Sequence, residues 1–360
     1  MKDEHCGRRE RMEDVLTHAA AAVRADGAEV SVIESVAEIE AADLRGRRVI
    51  FAVPLSEAGV NMEYYRMLEY FRIEPHCLDG CTGGIMVDGN SELFTKALAR
   101  RLAFSADMAG CTFPGKPLVE ATGSLANFHV MSKITGLERY EVYKMQAENL
   151  FKKVLEFEYP AIGTDPEDPV DHPLRVLAVH ASMRSTSNTL LLWDMVKKEL
   201  AARDDVDDEI KEVSLRNGSV VDCRGCRYED CLHFGENDGC FYGGIMVEQV
   251  YPAILNCDVL VMICPNYNDA VGANLTAFIN RLTALFRSHD FTKKRIYALV
   301  ISGYSGSDIV SEQLIGAINF NKEFILPPRF ALLETANDPK SVLEIDEIEK
   351  AAAEFAAGIH

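Results

Sequence analysis

A chain of 360 residues exceeds what one hydrophobic core usually serves and suits about two domains. Its 48% apolar and 26% charged content is that of a folded globular protein and excludes disorder except at the ends. The formal net charge of −19 serves solubility and excludes nucleic acid as a main partner, since phosphate backbones demand clustered Lys and Arg, and no run of 18 apolar residues offers a membrane span.

Read in chain order, Met1 to Arg11 is highly charged and lacks an apolar h-region, so no signal peptide is expected and the chain reads as cytoplasmic. Strands are expected at Glu29–Ser35 (EVSVIES), in RRVIFAVPL from Arg47, in TGGIMVDG from Thr82 and in KPLVEATG from Lys116. Helices are expected at Met62–Phe71, Glu92–Met108 and Leu125–Ser132. Residues 1–159 thus form one α/β domain. Pro160 to Pro173 (PAIGTDPEDPVDHP) carries four prolines and four acids, which neither a helix nor a central strand accepts; residues 160–173 read as a linker.

From Leu174 onward strands and helices alternate. Leu174–His180 is a short apolar run and reads as a buried strand, followed by the helix NTLLLWDMVKKELAA. Glu209–Leu215 alternates and reads as a more exposed strand; a cysteine-rich insertion and a helix around Val247–Leu255 follow. Asp258–Cys264, Arg295–Ser302 and Arg329–Thr335 read as further strands, each followed by a helical pattern. Five strands each followed by a helix imply a parallel sheet covered on both faces over residues 174–360. The two halves share a pattern. RVIFAVPLSEAGVN parallels RVLAVHASMRSTSN, GGIMVDGN parallels VLVMICPN, and KPLVEATG parallels RIYALVIS. An internal duplication accounts for this; two unrelated α/β domains are the alternative.

In an open doubly wound sheet, ligands sit beyond the carboxyl ends of the strands where the strand order reverses, so the loops after the first and third strands should be unusual. The first loop, His180 to Thr189, offers Ser182, Ser185, Thr186, Ser187, Asn188 and Thr189 as donors and Arg184 as a cation, directly before a helix. That combination makes a phosphate site. Capping alone would need only Ser187 or Asn188 and no cation. In the third loop Pro265 fixes a bend, Tyr267 can lie against a flat ring, and Asn266 and Asn268 can pair with carbonyl and ring-nitrogen edges. After the fourth strand comes Ser302-Gly303-Tyr304-Ser305-Gly306, where glycines admit close backbone approach. No GxGxxG lies on a strand-to-helix turn and no Walker motif is present, which disfavours dinucleotide-type and nucleotide-hydrolase domains.

On the residues SMRSTSNT, PNYNDAVGANLTAFINRL and SGYSG, the chain resembles the NADPH-dependent FMN reductase family of flavodoxin-like proteins, over about Leu174 to Phe330. The resemblance implies a complete flavodoxin-like doubly wound parallel-sheet domain in the second half; with the internal duplication, the α/β fold reads as two flavodoxin-like doubly wound parallel-sheet domains, the first a diverged copy. It implies FMN held at its phosphate by Ser182, Arg184, Ser187, Asn188 and Thr189, and at its ring by Pro265, Asn266, Tyr267, Asn268, Ser302, Gly303, Tyr304, Ser305 and Gly306. It further implies NAD(P)H as co-substrate and a quinone, flavin or other small molecule as electron acceptor. The flavin carries the chemistry, so no catalytic side chain is assigned. One departure is His180, where the family commonly has glycine. Relatives of this type are commonly dimers with flavin near the subunit contact, which implies a homo-oligomer or a pseudo-dimer within one chain. The counterpart loop Pro54–Asn61 carries Glu57 and no cation, so residues 1–159 are expected to hold no FMN of their own, and Gly123–Phe128 is a candidate covering loop.

Ten cysteines in such a chain read as thiols or metal ligands. Cys223, Cys226, Cys231 and Cys240 form C-x2-C-x4-C-x8-C, and thiolates converging on one centre select zinc or iron–sulfur. Iron–sulfur flavoproteins resembling this domain carry a tighter motif here and bind a [4Fe–4S] cluster, which ranks iron–sulfur above zinc; a metal-free loop is the plain alternative. Three functions therefore stand open: a flavin-dependent oxidoreductase, an iron–sulfur flavoprotein carrying electrons between protein partners without NAD(P)H activity, and a cofactor-free interaction protein. HExxH is absent and the nine histidines are scattered, which disfavours a metallohydrolase.

Overall fold

Apolar runs without polar alternation become strands buried on both faces, and the sheets they form fix where everything else goes. The computed structural model describes residues 6–162, 172–182, 187–216 and 220–360. The chain divides into two units, Met1–Glu158 and Tyr159–His360.

The first unit runs α1 (Cys6–Ala25), α2 (Val36–Ala42), β1 (Arg48–Pro54), α3 (Met62–Ile73), β2 (Thr82–Asp88), α4 (Thr95–Met108), β3 (Leu118–Ala121), α5 (His129–Thr135) and α6 (Arg139–Glu156). Its sheet is parallel, in the order β1-β2-β3, and the central strand β2 is buried along its whole length. Met12, Val15 and Ala19 of α1 and Val142, Tyr143, Ala147 and Leu150 of α6 pack one core with Met86 and Val119 from the sheet.

Two expectations change here. Glu29–Ser35 is not a strand: it joins no sheet ladder among the described residues, and Val32 is 76% exposed. Its end serves a helix cap instead. Ser35 Oγ accepts from the Glu38 amide at 3.4 Å and Glu38 accepts from the Glu34 amide at 3.0 Å, close to the S-x-x-E capping pattern. The expected helix at Glu92 begins only at Thr95, because Phe94 sits in the left-handed region with φ of 75°.

The second unit runs β4 (Val176–His180), α7 (Asn188–Ala201), β5 (Lys211–Ser214), α8 (Tyr228–Gly235), α9 (Tyr251–Asn256), β6 (Val259–Pro265), α10 (Ala273–Arg281), α11 (Thr283–Phe286), β7 (Arg295–Ser302), α12 (Ser307–Leu314), α13 (Phe320–Lys322), β8 (Ala331–Thr335) and α14 (Ile348–Gly358). All pairings are parallel and the order is β5-β4-β6-β7-β8. Counted along this unit that is 2-1-3-4-5, the flavodoxin order, and the strand order reverses between β4 and β6. Leu192, Trp193 and Val196 of α7 and Ala352 and Ala356 of α14 cover one face over Val176, Ala178, Val261 and Leu299. The three strands of the first unit have the adjacency of β4, β6 and β7, the strands their sequences parallel; counterparts of β5 and β8 are absent among its described residues.

At the carboxyl end of the first sheet stands a buried ion pair. The Arg11 guanidinium clasps both oxygens of Asp88, the last residue of β2 and fully buried, with Nε to Oδ2 at 2.9 Å. The same guanidinium reaches the Thr122 carbonyl at 3.3 Å. Burial works against the Arg11 charge, but the hydrogen bonds and charge of Asp88 outweigh it and hold its pKa above the usual value. Removing one partner strands the other, whereas replacing both removes the penalty. Arg11→Met should therefore destabilise the first unit by about 3–5 kcal/mol, and Arg11→Met with Asp88→Leu by much less. Trp193, the one tryptophan, lies in the second unit. Urea titration should show ellipticity lost earlier in Arg11→Met while the Trp193 fluorescence transition stays in place; an unshifted ellipticity curve would refute the assignment.

Candidate functional site

β4, β6 and β7 deliver three loops to one edge of the second sheet. Register carries this placement: His180 pairs with Ile263, and Pro265 pairs with Ile301 just before Ser302. The first loop follows β4. Ser182 is buried, and its hydroxyl meets Thr189 Oγ1 at 3.4 Å, while Ser187 Oγ meets the same atom at 2.8 Å. Ser187 occupies the N-cap position of α7, yet its side chain accepts no capping hydrogen bond. The hydroxyls thus face one another at the N-terminus of α7. Arg184, Ser185 and Thr186 lie outside the described residues.

Asn188 is placed differently from its expected role. Its Nδ2 donates to the carbonyls of Ala336 at 3.0 Å and Asp338 at 2.8 Å, and its Oδ1 accepts from the Val342 amide. The side chain ties α7 to the loop after β8 and does not face the hydroxyl cluster. Spacing on a loop could not distinguish a residue turned toward a ligand from one turned toward the neighbouring strand's loop.

The second and third loops form one network. Asn266 continues the β6–β7 ladder through its amide, which donates to the Ile301 carbonyl at 2.8 Å. Its Nδ2 donates to Ser302 Oγ at 3.0 Å and to the Ser305 carbonyl at 2.9 Å, with Asp269 Oδ1 at 3.3 Å. Asn268 and Asp269 take consecutive left-handed conformations, with φ of 56° and 53°, which places Asn and Asp where such backbone is tolerated. Gln313 of α12 braces the turn, donating to the Asp269 carbonyl at 2.9 Å and accepting from the Val271 amide at 3.0 Å. The fourth-strand loop is closed by Ser302 Oγ on Ser307 Oγ at 2.7 Å and by Asn337 Nδ2 on the Tyr304 hydroxyl at 3.2 Å. Asp269, Ser307, Gln313 and Asn337 carry this frame, and nothing in their sequence neighbourhood except the short loops marks them.

Tyr267 and Tyr304 expose 64% and 82% of their surface, two aromatic faces on the rim of one loop pair. In the same loop Asn266 Oδ1 is buried with no hydrogen-bond partner among the described residues. An orphaned buried acceptor costs about 1–3 kcal/mol and is relieved by a donor from a ligand. The residues therefore fit a flat heterocycle with an N–H edge, carrying an anionic tail toward Ser182 and Ser187. Cys264, under the second loop, is fully buried, and burial pushes its thiol up to about 12, so it offers no thiolate nucleophile.

The cysteine insertion leaves the carboxyl end of β5 and packs on α10 and α11. Arg281, almost fully buried, donates to the Gly243 carbonyl at 2.9 Å and the Val221 carbonyl at 3.4 Å, and Asn280 donates to Asp222 at 3.0 Å. Gly235 lies so close to the Ala284 carbonyl that a side chain there would collide with it. Cys223 and Cys226 are exposed and Cys231 and Cys240 half-buried. Among the described residues no group of three or more His, Cys, Asp and Glu side chains is gathered to hold a metal ion, so the four thiols as arranged do not fit a four-thiolate centre. In the first unit, Gly123–Phe128 serves its own core: Phe128 stacks on Tyr143 at 5.4 Å, and Asn127 binds Thr122 and the Glu120 carbonyl.

Gly306 is the tightest point of the network. Its φ is +91°, and a Cβ there would strike Asp269 Oδ1 and come within 2.8 Å of Asn266 Nδ2. Gly306→Ala should cost about 1–2 kcal/mol in backbone strain and push the Asn266 loop aside. Flavin titration should show affinity for FMN reduced about tenfold, with thermal unfolding lowered modestly; undiminished affinity would show the network to be dispensable.

No curated protein sequence gives a match. Among solved structures, similarity extends to about half the chain. RosB with a bound intermediate is 16% identical and covers 51% of this chain and 76% of its own, with a TM-score of 0.37. An FMN-dependent NADH-azoreductase from Bacillus anthracis in complex with FMN is 12% identical, covering 51% and 99%, with a TM-score of 0.35. The Trp repressor binding protein from Bacillus subtilis is 15% identical, covering 50% and 99%, with a TM-score of 0.35. Residues 174–338, from β4 to the loop after β8, match the model of the family described as NADPH-dependent FMN reductase.

Proposed function

We propose that the chain is a flavin-dependent oxidoreductase that binds one FMN on its second unit and passes electrons from NAD(P)H to a small acceptor such as a quinone or a free flavin. The observation that carries this is the convergence, at the strand-order reversal, of a hydroxyl-lined helix N-terminus with two tyrosine-bearing loops around the unpartnered Asn266 Oδ1. FMN, when bound, supplies the acceptance and delivery of hydride. The chain's residues bind and orient. Ser182, Ser187 and Thr189 hold the phosphate with Arg184 as its cation. Asn266 reads the ring edge, and Tyr267 and Tyr304 flank an open entry through which a planar acceptor reaches the ring. No buried thiolate competes for electrons beneath the loop.

The first unit is read as holding no FMN of its own. The place equivalent to the flavin loop is filled by the Arg11–Asp88 pair, and Glu57 stands exposed in the loop after β1, so an entering phosphate would meet carboxylates. One flavin per chain supports this, and two refute it.

A second reading, an iron–sulfur flavoprotein that carries electrons between proteins, has one observation in its favour. Cys231, its thiol raised by burial, also senses the charges of Cys223, Cys226 and Cys240, so the four share one neighbourhood. An anaerobic absorption spectrum separates the readings: a brown protein with about four irons per chain supports the carrier, zinc alone makes the insertion structural, and flavin without metal supports the oxidoreductase.

Arg184→Ala removes a charge-assisted bond worth about 1.5–3 kcal/mol and should weaken FMN roughly ten- to a hundredfold while riboflavin changes little. NADPH oxidation with a quinone should fall in step with FMN occupancy and return when FMN is added to saturation. Equal losses for both flavins would remove Arg184 from the phosphate.

A further inference from the structure

We propose that Asn337 is a positioning residue for the electron acceptor: it holds Tyr304 by its hydroxyl at the rim of the second sheet and so sets how wide a planar molecule can reach the ring. Tyr304 stands in the loop after β7 and is 82% exposed, and Asn337 stands in the loop after β8. Asn337 Nδ2 donates to the Tyr304 hydroxyl at 3.2 Å. A ring so exposed gains little from packing, so the contact at its tip is what opposes the loss of side-chain freedom and fixes its direction.

The other end of that contact is built to stay in place. Asn188 Nδ2 donates to the carbonyls of Ala336 at 3.0 Å and Asp338 at 2.8 Å, the residues on either side of Asn337. The Ala336 amide donates to the Ser302 carbonyl at 2.9 Å, which carries the β7–β8 pairing one step past Thr335 and brings Asn337 opposite Gly303. The Asp338 carbonyl also accepts from the Ser341 amide at 3.0 Å and from the Ser341 hydroxyl at 2.8 Å. A Cβ on Gly303 would come within 2.9 Å of Asn337 Oδ1, so the amide lies in the room that the missing side chain leaves. Gly303 and Tyr304, consecutive in one loop, thus meet the two ends of the same amide. Asn188 acts at the rim through Asn337.

Tyr267, in the loop after β6, is the other exposed ring here, on a backbone turned by the left-handed Asn268 and Asp269. With Tyr304 held, the entry has a set width on that side. A compact acceptor such as a benzoquinone passes, and a wide one such as an anthraquinone must displace Tyr304. Asn337 touches neither flavin nor acceptor in this role and acts only through the tyrosine.

This role rests on the FMN reading, and the experiment keeps their failures apart. The full chain, Asn337→Ala, Asn337→Asp and Tyr304→Phe are each loaded with FMN. Emission of the oxidised complex is read first, without turnover. A phenol held beside an isoalloxazine quenches its fluorescence, so Tyr304→Phe and Asn337→Ala should brighten it. Asn337→Asp, whose carboxylate accepts from the Tyr304 hydroxyl, should stay dim. Then kcat/KM for NAD(P)H-dependent reduction is compared between benzoquinone and an anthraquinone sulfonate. Loss of one exposed neutral hydrogen bond should shift that ratio about three- to tenfold toward the wide acceptor in Asn337→Ala, mostly through KM. Asn337→Asp should restore the original ratio. Tyr304→Phe should match Asn337→Ala, and the double variant should go no further, since both changes remove one contact. Thermal unfolding and FMN affinity, which a merely structural role would lower, should move little in Asn337→Ala. Emission unchanged in Asn337→Ala, an unmoved acceptor ratio, or equal losses with both acceptors overturns the role of Asn337 while the FMN reading stands. A full chain that binds no FMN, or that oxidises no NAD(P)H when loaded, overturns the functional reading and this role with it.

Discussion

A parallel strand buried on both faces can present polar groups in one useful direction, past its carboxyl end. Every functional feature of this chain follows from that constraint. β6 and β7 are buried almost throughout, so side chains that could contact a ligand are confined to the few residues after Pro265 and Ser302. The loops are short, and their shape is therefore dictated by hydrogen bonds between them rather than by packing beneath. Asn266 bridges both loops, and Asn268 and Asp269 supply the left-handed turn that points Tyr267 outward.

The two units apply the same scaffold to opposite ends. In the second, the β6 loop leaves Asn266 Oδ1 buried with no hydrogen-bond partner among the described residues. In the first, the strand paralleling β6 ends in the buried carboxylate of Asp88, which α1 covers with Arg11. A charge at that place must be neutralised from within the chain when no ligand does so, because an unpaired buried carboxylate is strongly unfavourable. An N-terminal helix preceding the sheet is the nearest source of a cation, and Arg11 reaches across to Gly89 and Thr122 as well.

Much of this was legible in the sequence where hydrophobic period and loop chemistry agree. The five strands of residues 174–360 and their helices follow from apolar runs of strand length, and the loops after β4, β6 and β7 fall at the ends of those runs. Legibility failed where two signals competed. EVSVIES has strand alternation, but Ser35 and Glu38 cap a helix, and it joins no sheet ladder among the described residues. α1 and α6, absent from the sequence reading, pack against each other's apolar stripe, whose spacing is visible only once the sheet gives it a surface. Asn188 looked like a ligand donor because residue type on a loop says nothing of direction; its contacts with Ala336, Asp338 and Val342 lie about 150 residues away in sequence.

The cysteine insertion shows the same limit from the other side. Four thiols in a short segment read as a ligand set because spacing is all that sequence offers. In the structure the segment's shape is held by other means: the Arg281 guanidinium fixes Val221 and Gly243 near its two ends, Asn280 holds Asp222, and α8 seats on α11 through Gly235. A buried cation that bonds the carbonyls flanking a cysteine-bearing loop defines the loop's span independently of its thiols. Thiols freed from a structural task can change state without unfolding the domain beneath them. The insertion's root is also tied to α10, since Asn274, in the first turn after the Tyr267 loop, donates to the Leu215 carbonyl just after β5.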